Sequence, residues 1–178
     1  MPPDVTLFAA QHLVFADAIL AALVVAGLLY RRHHAAVVCW AITVVTMLSI
    51  SLVLFRIFDA LFFDPRPFAV GHYHPLLAHT ANNGFPSGYA LLSAAIVSAV
   101  QFANRKWAVP FIILGLLVGW ARVGVGIHHV IDIAGSWGIV TLASLIAFMV
   151  GPLAAAILLP AIPSSWTFER LRVGRQAQ

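Results

Sequence analysis

Long apolar runs separated by short polar breaks organise this chain. Five of them, residues 13–30, 35–58, 87–103, 106–122 and 129–150, approach or reach the roughly 17 to 25 helical residues that cross about 30 Å of hydrocarbon. The pattern predicts five transmembrane helices, the last with room to extend to residue 159. Gly151-Pro152 is expected to kink or end that helix, because proline lacks an amide hydrogen and clashes with the preceding turn. Five spans put the termini on opposite sides. Arg31-Arg32-His33-His34, Arg105-Lys106 and the tail residues Arg170, Arg172 and Arg175 then share one side, which the bias of basic residues makes cytoplasmic. A loop at 59–86 and a turn at 122–128 fall on the extracytoplasmic side, and 160–178 forms a cytoplasmic tail. Within the tail, Trp166 to Arg172 reads equally as an interfacial segment or an unstructured one. No internal repeat, low-complexity segment or second domain interrupts residues 1–178, so the expectation is a single all-α polytopic membrane bundle.

Composition agrees. Hydrophobic residues make up 62% of the chain and charged residues 9%, with mean hydropathy +0.97, against about 25% charged in soluble domains. The net charge of +4 resides mostly at the ends of apolar runs and in the polar loop. It therefore bears on membrane orientation and on an anionic ligand, and gives no reason to expect nucleic acid. A single cysteine, Cys39, lies in an apolar run and supplies neither a disulfide framework nor a cysteine metal site. The N-terminus lacks the basic region and cleavage site of a secretory signal, so the first apolar run is read as a retained helix.

The remaining polar residues gather in three clusters on the extracytoplasmic side: Asp64-Pro65-Arg66-Pro67-Phe68, Phe85-Pro86-Ser87-Gly88-Tyr89, and the stretch from Ala121 to Asp132. His128 and Asp132 are four apart, so on a helix they share a face and the carboxylate can accept from one imidazole nitrogen. The other nitrogen stays basic. Arg122 lies across a turn containing Gly124 and Gly126, and Arg66 adds a second cation. The start of a helix at Ser87-Gly88 presents unpaired amides and a partial positive charge to a phosphate. Together these make an anion cradle with a nucleophile.

The order Arg-Pro, Pro-Ser-Gly, then Arg-x5-His-x3-Asp resembles the type 2 phosphatidic acid phosphatase (PAP2) family over roughly residues 56 to 140. Within that family, RPFAVGHYHPLLAHTANNGFPSGYA is most similar to the short bacterial undecaprenyl-diphosphate phosphatases of the bacitracin-resistance type. The resemblance implies a phosphatase of the bacterial inner membrane acting on a lipid-linked diphosphate or monophosphate at the outer face. It implies His128 as a nucleophile forming a phosphohistidine, Asp132 as its orienter, and Arg66, Ser87, the Gly88 amide and Arg122 as phosphate ligands, with Pro67 in the Arg-Pro motif. It implies no metal or other cofactor, and no obligatory protein partner is inferred.

Two positions depart from the family pattern. Asp59 stands where the family has a lysine, with Arg56 one turn earlier as a candidate stand-in. Tyr89 stands where the family has its general-acid histidine, and a phenol of pKa about 10 is a poor proton donor near neutrality. The expectations that follow are slow turnover, a substitute acid such as His79, or a chain that binds lipid phosphate without turning it over. An introduced substitution at 89 also fits. A lipid diphosphate tolerates the change better than a phosphate monoester, because it expels a phosphomonoester anion and the monoester expels an alkoxide. Other lipid phosphate phosphatases or phosphotransferases share the pattern.

Simpler readings compete at several positions. Arg31, Arg32 and Arg105 fit interfacial snorkelling, Asp17 fits a cap or an interhelical hydrogen bond, and the tryptophans fit packing or interfacial anchoring. His72, His74 and His79 have a spacing that zinc also uses. His129, placed on a helix, points about 100° from His128 and stands outside the expected chemistry.

Overall fold

The computed structural model describes residues 3–158. The expectations for the tail from 160 therefore lie outside the described residues. The elements run α1 (Pro3–Leu29), α2 (His34–Leu61), α3 (Pro67–Gly71), α4 (Gly88–Ala103), α5 (Arg105–Gly124) and α6 (Val130–Leu158). Four helices, α1, α2, α5 and α6, are long and apolar enough to cross a membrane, and α4 is a shorter apolar helix of 16 residues. The result is the expected all-α polytopic bundle.

The short helix is the central one. Ala90, Ser93, Ala94, Ala95, Ile96, Val97 and Val100 of α4 are buried, and α4 packs on α1, α2, α5 and α6. Small residues let backbones approach where lipid provides no hydrophobic drive for helix association. One core joins Val14, Ala21 and Val25 of α1 to Ile96, Val97 and Val100 of α4 and to Phe111 and Val118 of α5. A second joins Met47 of α2 to Ala94 and Ala95 of α4 and to Val140, Ala143 and Ala147 of α6. The opposite faces of α1, α2 and α6 expose Phe8, Ile19, Leu23, Leu52, Phe148 and Leu153, which suits contact with lipid chains.

At 1.5 Å per residue α4 rises only about 24 Å, short of the roughly 30 Å of hydrocarbon. Buried Ser87 at its start meets buried Asp132 of α6, which marks a recess at this end of the bundle. The loop between α2 and α4 folds back over that recess. Its hub is Asn83, whose Oδ1 accepts from the amides of Asp64 (2.9 Å) and Phe85 (3.1 Å). The Asn83 amide group in turn faces the carbonyls of Asp59 (3.0 Å) and Phe62 (2.9 Å) and the Asp59 carboxylate (3.0 Å). The loop is also tied to the α5–α6 turn: Tyr73 donates to the Gly126 carbonyl at 3.0 Å and the Leu76 amide to Val125 O at 3.1 Å. Gly126 has φ +81° with the Tyr73 ring against it, so a side chain there would be both strained and obstructed.

Three expectations change. Helix α1 begins at Pro3, well before residue 13, because the polar residues Asp4, Gln11 and His12 interrupt the hydrophobic run without interrupting the helix. Helix α6 passes through Gly151-Pro152 and neither ends nor breaks there; Pro152 removes one backbone hydrogen bond, while buried Gly151 seats α6 directly on Thr43 of α2. The one-turn α3, capped by Arg66 and started by Pro67, had no hydrophobic period to announce it.

Gly119 shows how closely α5 and α6 approach, since a Cβ there would lie 2.6 Å from Ile133 Cγ2. Gly119→Leu is expected to lower stability by about 1–3 kcal/mol through overpacking. A fall in the thermal unfolding midpoint of purified protein in detergent, with helicity retained below it, checks this.

Candidate active site

The recess collects the ends of five helices: the start of α1, the end of α2, the start of α4, the end of α5 and the start of α6. The basic connections at Arg31-Arg32 and Arg105-Lys106 lie at the other end of the bundle. All three sequence clusters meet in the recess, and Arg66, Ser87, Arg122, His128 and Asp132 are buried there.

His128 lies in the turn just before α6, two residues ahead of the helix on which the sequence placed it. Its spacing to Asp132 still works, with Nδ1 at 3.2 Å from Asp132 Oδ2. Asp132 is fully buried, so its carboxylate is poised to accept, and Nδ1 carries the proton. Nε2 is then the lone-pair nitrogen, and Arg66 Nη1 donates toward it at 3.4 Å. Burial pushes the His128 imidazole below its ordinary pKa; Arg66 and Arg122 push the same way, opposed by the bond and charge of Asp132. Near neutrality the free site therefore holds an uncharged imidazole.

Arg66 is aimed by two further bonds, Nε to Asn82 Oδ1 at 2.8 Å and Nη1 to the Ile127 carbonyl at 2.9 Å. Burial lowers its pKa and the Asp132 charge raises it, so this cation is held in a poorly solvated place beside His128 Nε2. Pro67 follows as the first residue of α3. Gly84 lets the loop close on the site: a Cβ there would lie 3.0 Å from Asp64 O and 3.2 Å from Asp132 Oδ2.

Ser87 caps α4 without bonding its own helix, and its buried Oγ has no hydrogen-bond partner. Its carbonyl accepts from Ser136 Oγ at 3.0 Å, and that hydroxyl also points at Asp132 O at 2.7 Å. Gly88 next to it is exposed with nothing near its missing side chain, which leaves the first amides of α4 open to an incoming anion. Arg122, in the last turn of α5, donates from Nη1 to Ala10 O at 3.3 Å, and its guanidinium lies 4.1 Å over the Tyr89 ring centroid. Tyr89 is thus a half-buried ring in the first turn of α4, packed against the α1–α4–α5 core, with Phe15 edge-on at 6.0 Å.

The auxiliary positions separate. His79 is half-buried at the rim, its Nδ1 3.2 Å from the Thr80 carbonyl. Burial lowers its pKa, the Thr80 bond opposes that, and Arg66, Arg122 and His128 lower it further. Arg56 is exposed on α2 and takes no part in the hydrogen bonds described above. Asp59, at the family's lysine position, anchors Asn83 instead of facing an anion.

Sequence reasoning set His129 aside, and the structure corrects the reason given. Like His128 it precedes α6, and its Nδ1 donates to Asp64 Oδ2 at 2.7 Å while its amide donates to Asp132 Oδ2 at 2.8 Å. A second His–Asp pair thus lies beside the first. Among the described residues, Asp64, His129 and Asp132 form the one group of three with ligand atoms close enough to share an ion, within 4.8 Å of one another. Within the group Asp64 Oδ2 accepts from His129 Nδ1, and Asp132 Oδ2 accepts from His128 Nδ1, whereas Asp132 Oδ1 is buried with no hydrogen-bond partner. His72, His74 and His79 are not brought together for zinc. Asn82, Asn83 and Ser136 were also missed; the paired asparagines before Gly84 were the available signal, whereas nothing local marked Ser136.

Comparison with known proteins gives the same assignment to the fold. A family model described as PAP2 superfamily matches residues 38–155. Undecaprenyl-diphosphatase BcrC of Bacillus subtilis (strain 168) is 40% identical over 86 residues, 48% of this chain and 45% of that protein. Putative undecaprenyl-diphosphatase YbjG of Escherichia coli (strain K12) is 28% identical over 118 residues, 66% of this chain and 56% of its own length. Bacitracin transport permease protein BcrC of Bacillus licheniformis is 26% identical over 104 residues, 58% and 51% of the two chains. The matches span about half the length of these curated relatives. No solved structure matches.

The burial of His128 makes a direct expectation. In histidine-labelled protein, the resonance lost in His128→Ala should titrate with a midpoint below the ordinary value of about 6.5. Asp132→Asn, which removes the carboxylate that favours the imidazolium, should lower the midpoint further. A midpoint at or above 6.5 would contradict this electrostatic picture.

Proposed function

The chain belongs to the PAP2 superfamily, and from that premise we propose that it is a lipid phosphate phosphatase converting undecaprenyl diphosphate to undecaprenyl phosphate and inorganic phosphate. The observation that carries the reading is the polarised imidazole: His128 Nδ1 is tied to Asp132 while Nε2 lies beside Arg66, in a recess with a second arginine and an open helix start. The names of two relatives, an undecaprenyl-diphosphatase and a putative undecaprenyl-diphosphatase, support the substrate. The basic connections at the opposite end of the bundle support a site on the extracytoplasmic face of a bacterial inner membrane, reached laterally by the lipid.

In the proposed reaction, His128 Nε2 attacks the terminal phosphorus in line. An Nε2–P bond forms as the P–O bond to the inner phosphate breaks, and undecaprenyl phosphate leaves with that electron pair. Asp132 stabilises the imidazolium character that develops on His128. Arg66, Arg122, Ser87 Oγ and the amides that begin at Gly88 hold the phosphoryl oxygens, where most of the rate of such a transfer originates. Water then attacks phosphorus, the Nε2–P bond breaks and phosphate departs. His79 at the rim is the auxiliary proton carrier. With tyrosine at the family's acid position, an already stable phosphomonoester is the leaving group that suits the site.

Phosphate release from a C55 diphosphate by purified chain is the test. Turnover should exceed that on the corresponding monophosphate, and His128→Ala should lower it by about a thousandfold or more, the scale of losing a nucleophile. The rate should rise with pH through the depressed His128 midpoint, because only the neutral imidazole attacks, and fall as acid protonates it. Folded wild-type protein that releases no phosphate, with none restored by Tyr89→His, would sink the proposal. Full activity in His128→Ala would sink the nucleophile assignment alone.

A further inference from the structure

We propose that Tyr89 is a positioning residue for Arg122: the face of its ring holds the guanidinium at the phosphate recess, a role distinct from proton donation. The inference rests on the phosphatase reading above. Little else directs Arg122. Its one hydrogen bond within the site runs to Ala10 O at 3.3 Å, its buried Nε has no partner, and it lies within electrostatic reach of a second cation, Arg66. Placed at the C-terminal end of α5, it has no carboxylate ion pair among the described residues. Repulsion from Arg66 would push such a side chain away from where two arginines must converge on one phosphate.

Tyr89 supplies the opposing attraction. The guanidinium carbon stands 4.1 Å above the ring centroid, well inside the range in which an aromatic quadrupole attracts a cation. The ring is itself fixed, edge-on to Phe15 of α1 and packed on the α1–α4–α5 core. It also belongs to the first turn of α4, two residues after Ser87, so a single helix start presents the amides, the hydroxyl and the platform for the arginine. A protonated histidine would be a poor platform, because it would repel the guanidinium. Position 89 therefore exchanges an acid for a grip, and this exchange favours substrates whose leaving group is already a stable anion.

The test compares wild type, Tyr89→Leu and Tyr89→Phe as purified full-length protein. Equilibrium binding of labelled inorganic phosphate is read beside kcat and KM on the C55 diphosphate. Leu should weaken phosphate binding and raise KM roughly 3- to 30-fold, the scale of a partly desolvated cation–π contact, and Phe, which keeps the ring and loses only the hydroxyl, should restore both. In an Arg122→Gln background the Leu penalty should vanish. Should Tyr89→Leu fail to fold, the Phe variant still decides. A tenfold or greater fall in kcat for Tyr89→Phe with phosphate affinity unchanged would overturn the proposal and make the hydroxyl the acid. Unchanged phosphate affinity in folded Tyr89→Leu would also overturn it. Wild-type protein that binds phosphate but hydrolyses no lipid defeats the phosphatase reading, while the binding comparison still judges Tyr89.

Discussion

Asp132 is the residue on which the whole recess is assembled. One carboxylate oxygen accepts from the His128 imidazole and from the His129 amide, and its backbone carbonyl meets Ser136 Oγ and the Ser87 amide, the last at 3.5 Å. The start of α6, the start of α4 and the turn after α5 are thereby fixed to one another. A fully buried carboxylate would be costly alone, and here it is matched by Arg66 and an imidazole within the same pocket. In the recess one buried carboxylate thus stands with two buried arginines, and Arg122 keeps no carboxylate ion pair among the described residues.

The bilayer explains where the balance is struck. Four long helices provide the span, whereas α4 is shorter and its capping residue, Ser87, is buried. Burial puts Arg66, Arg122 and Asp132 in surroundings where hydrogen bonds are stronger than in water. Asn83 keeps the overlying loop in register by tying Asp64 and Phe85 back to the end of α2. Asp59 serves that brace, which accounts physically for an acid at a position where the family carries a lysine.

Much of this was legible in the sequence because membrane hydropathy and short catalytic spacings are strong local signals. The five apolar helices and the gathering of Arg66, Ser87, Arg122, His128 and Asp132 follow from runs and motifs along the chain, whereas nothing in the runs set α4 apart as the central helix. What the sequence hid depends on contacts between distant segments. His129 was set aside by assuming that it lay on the helix, but the turn before α6 instead gives it Asp64 as a partner 65 residues away. Helix α6 continues through Pro152, and the close seat of Gly151 on Thr43 is a contact between distant segments that no local propensity contains. Tyr89 looked like a missing acid because a motif gives only residue type; the guanidinium over its ring appears only in three dimensions.

The proposed reaction depends on a covalent bond to one nitrogen, His128 Nε2. A rapid quench into base after mixing the purified protein with C55 diphosphate labelled in its terminal phosphate addresses it directly, since a phosphohistidine survives base and is lost in acid. The account expects label on the peptide carrying His128, appearing before free phosphate and decaying into it. Label on His129 or Ser87, or product formed at every time point with no label on the protein, would contradict it.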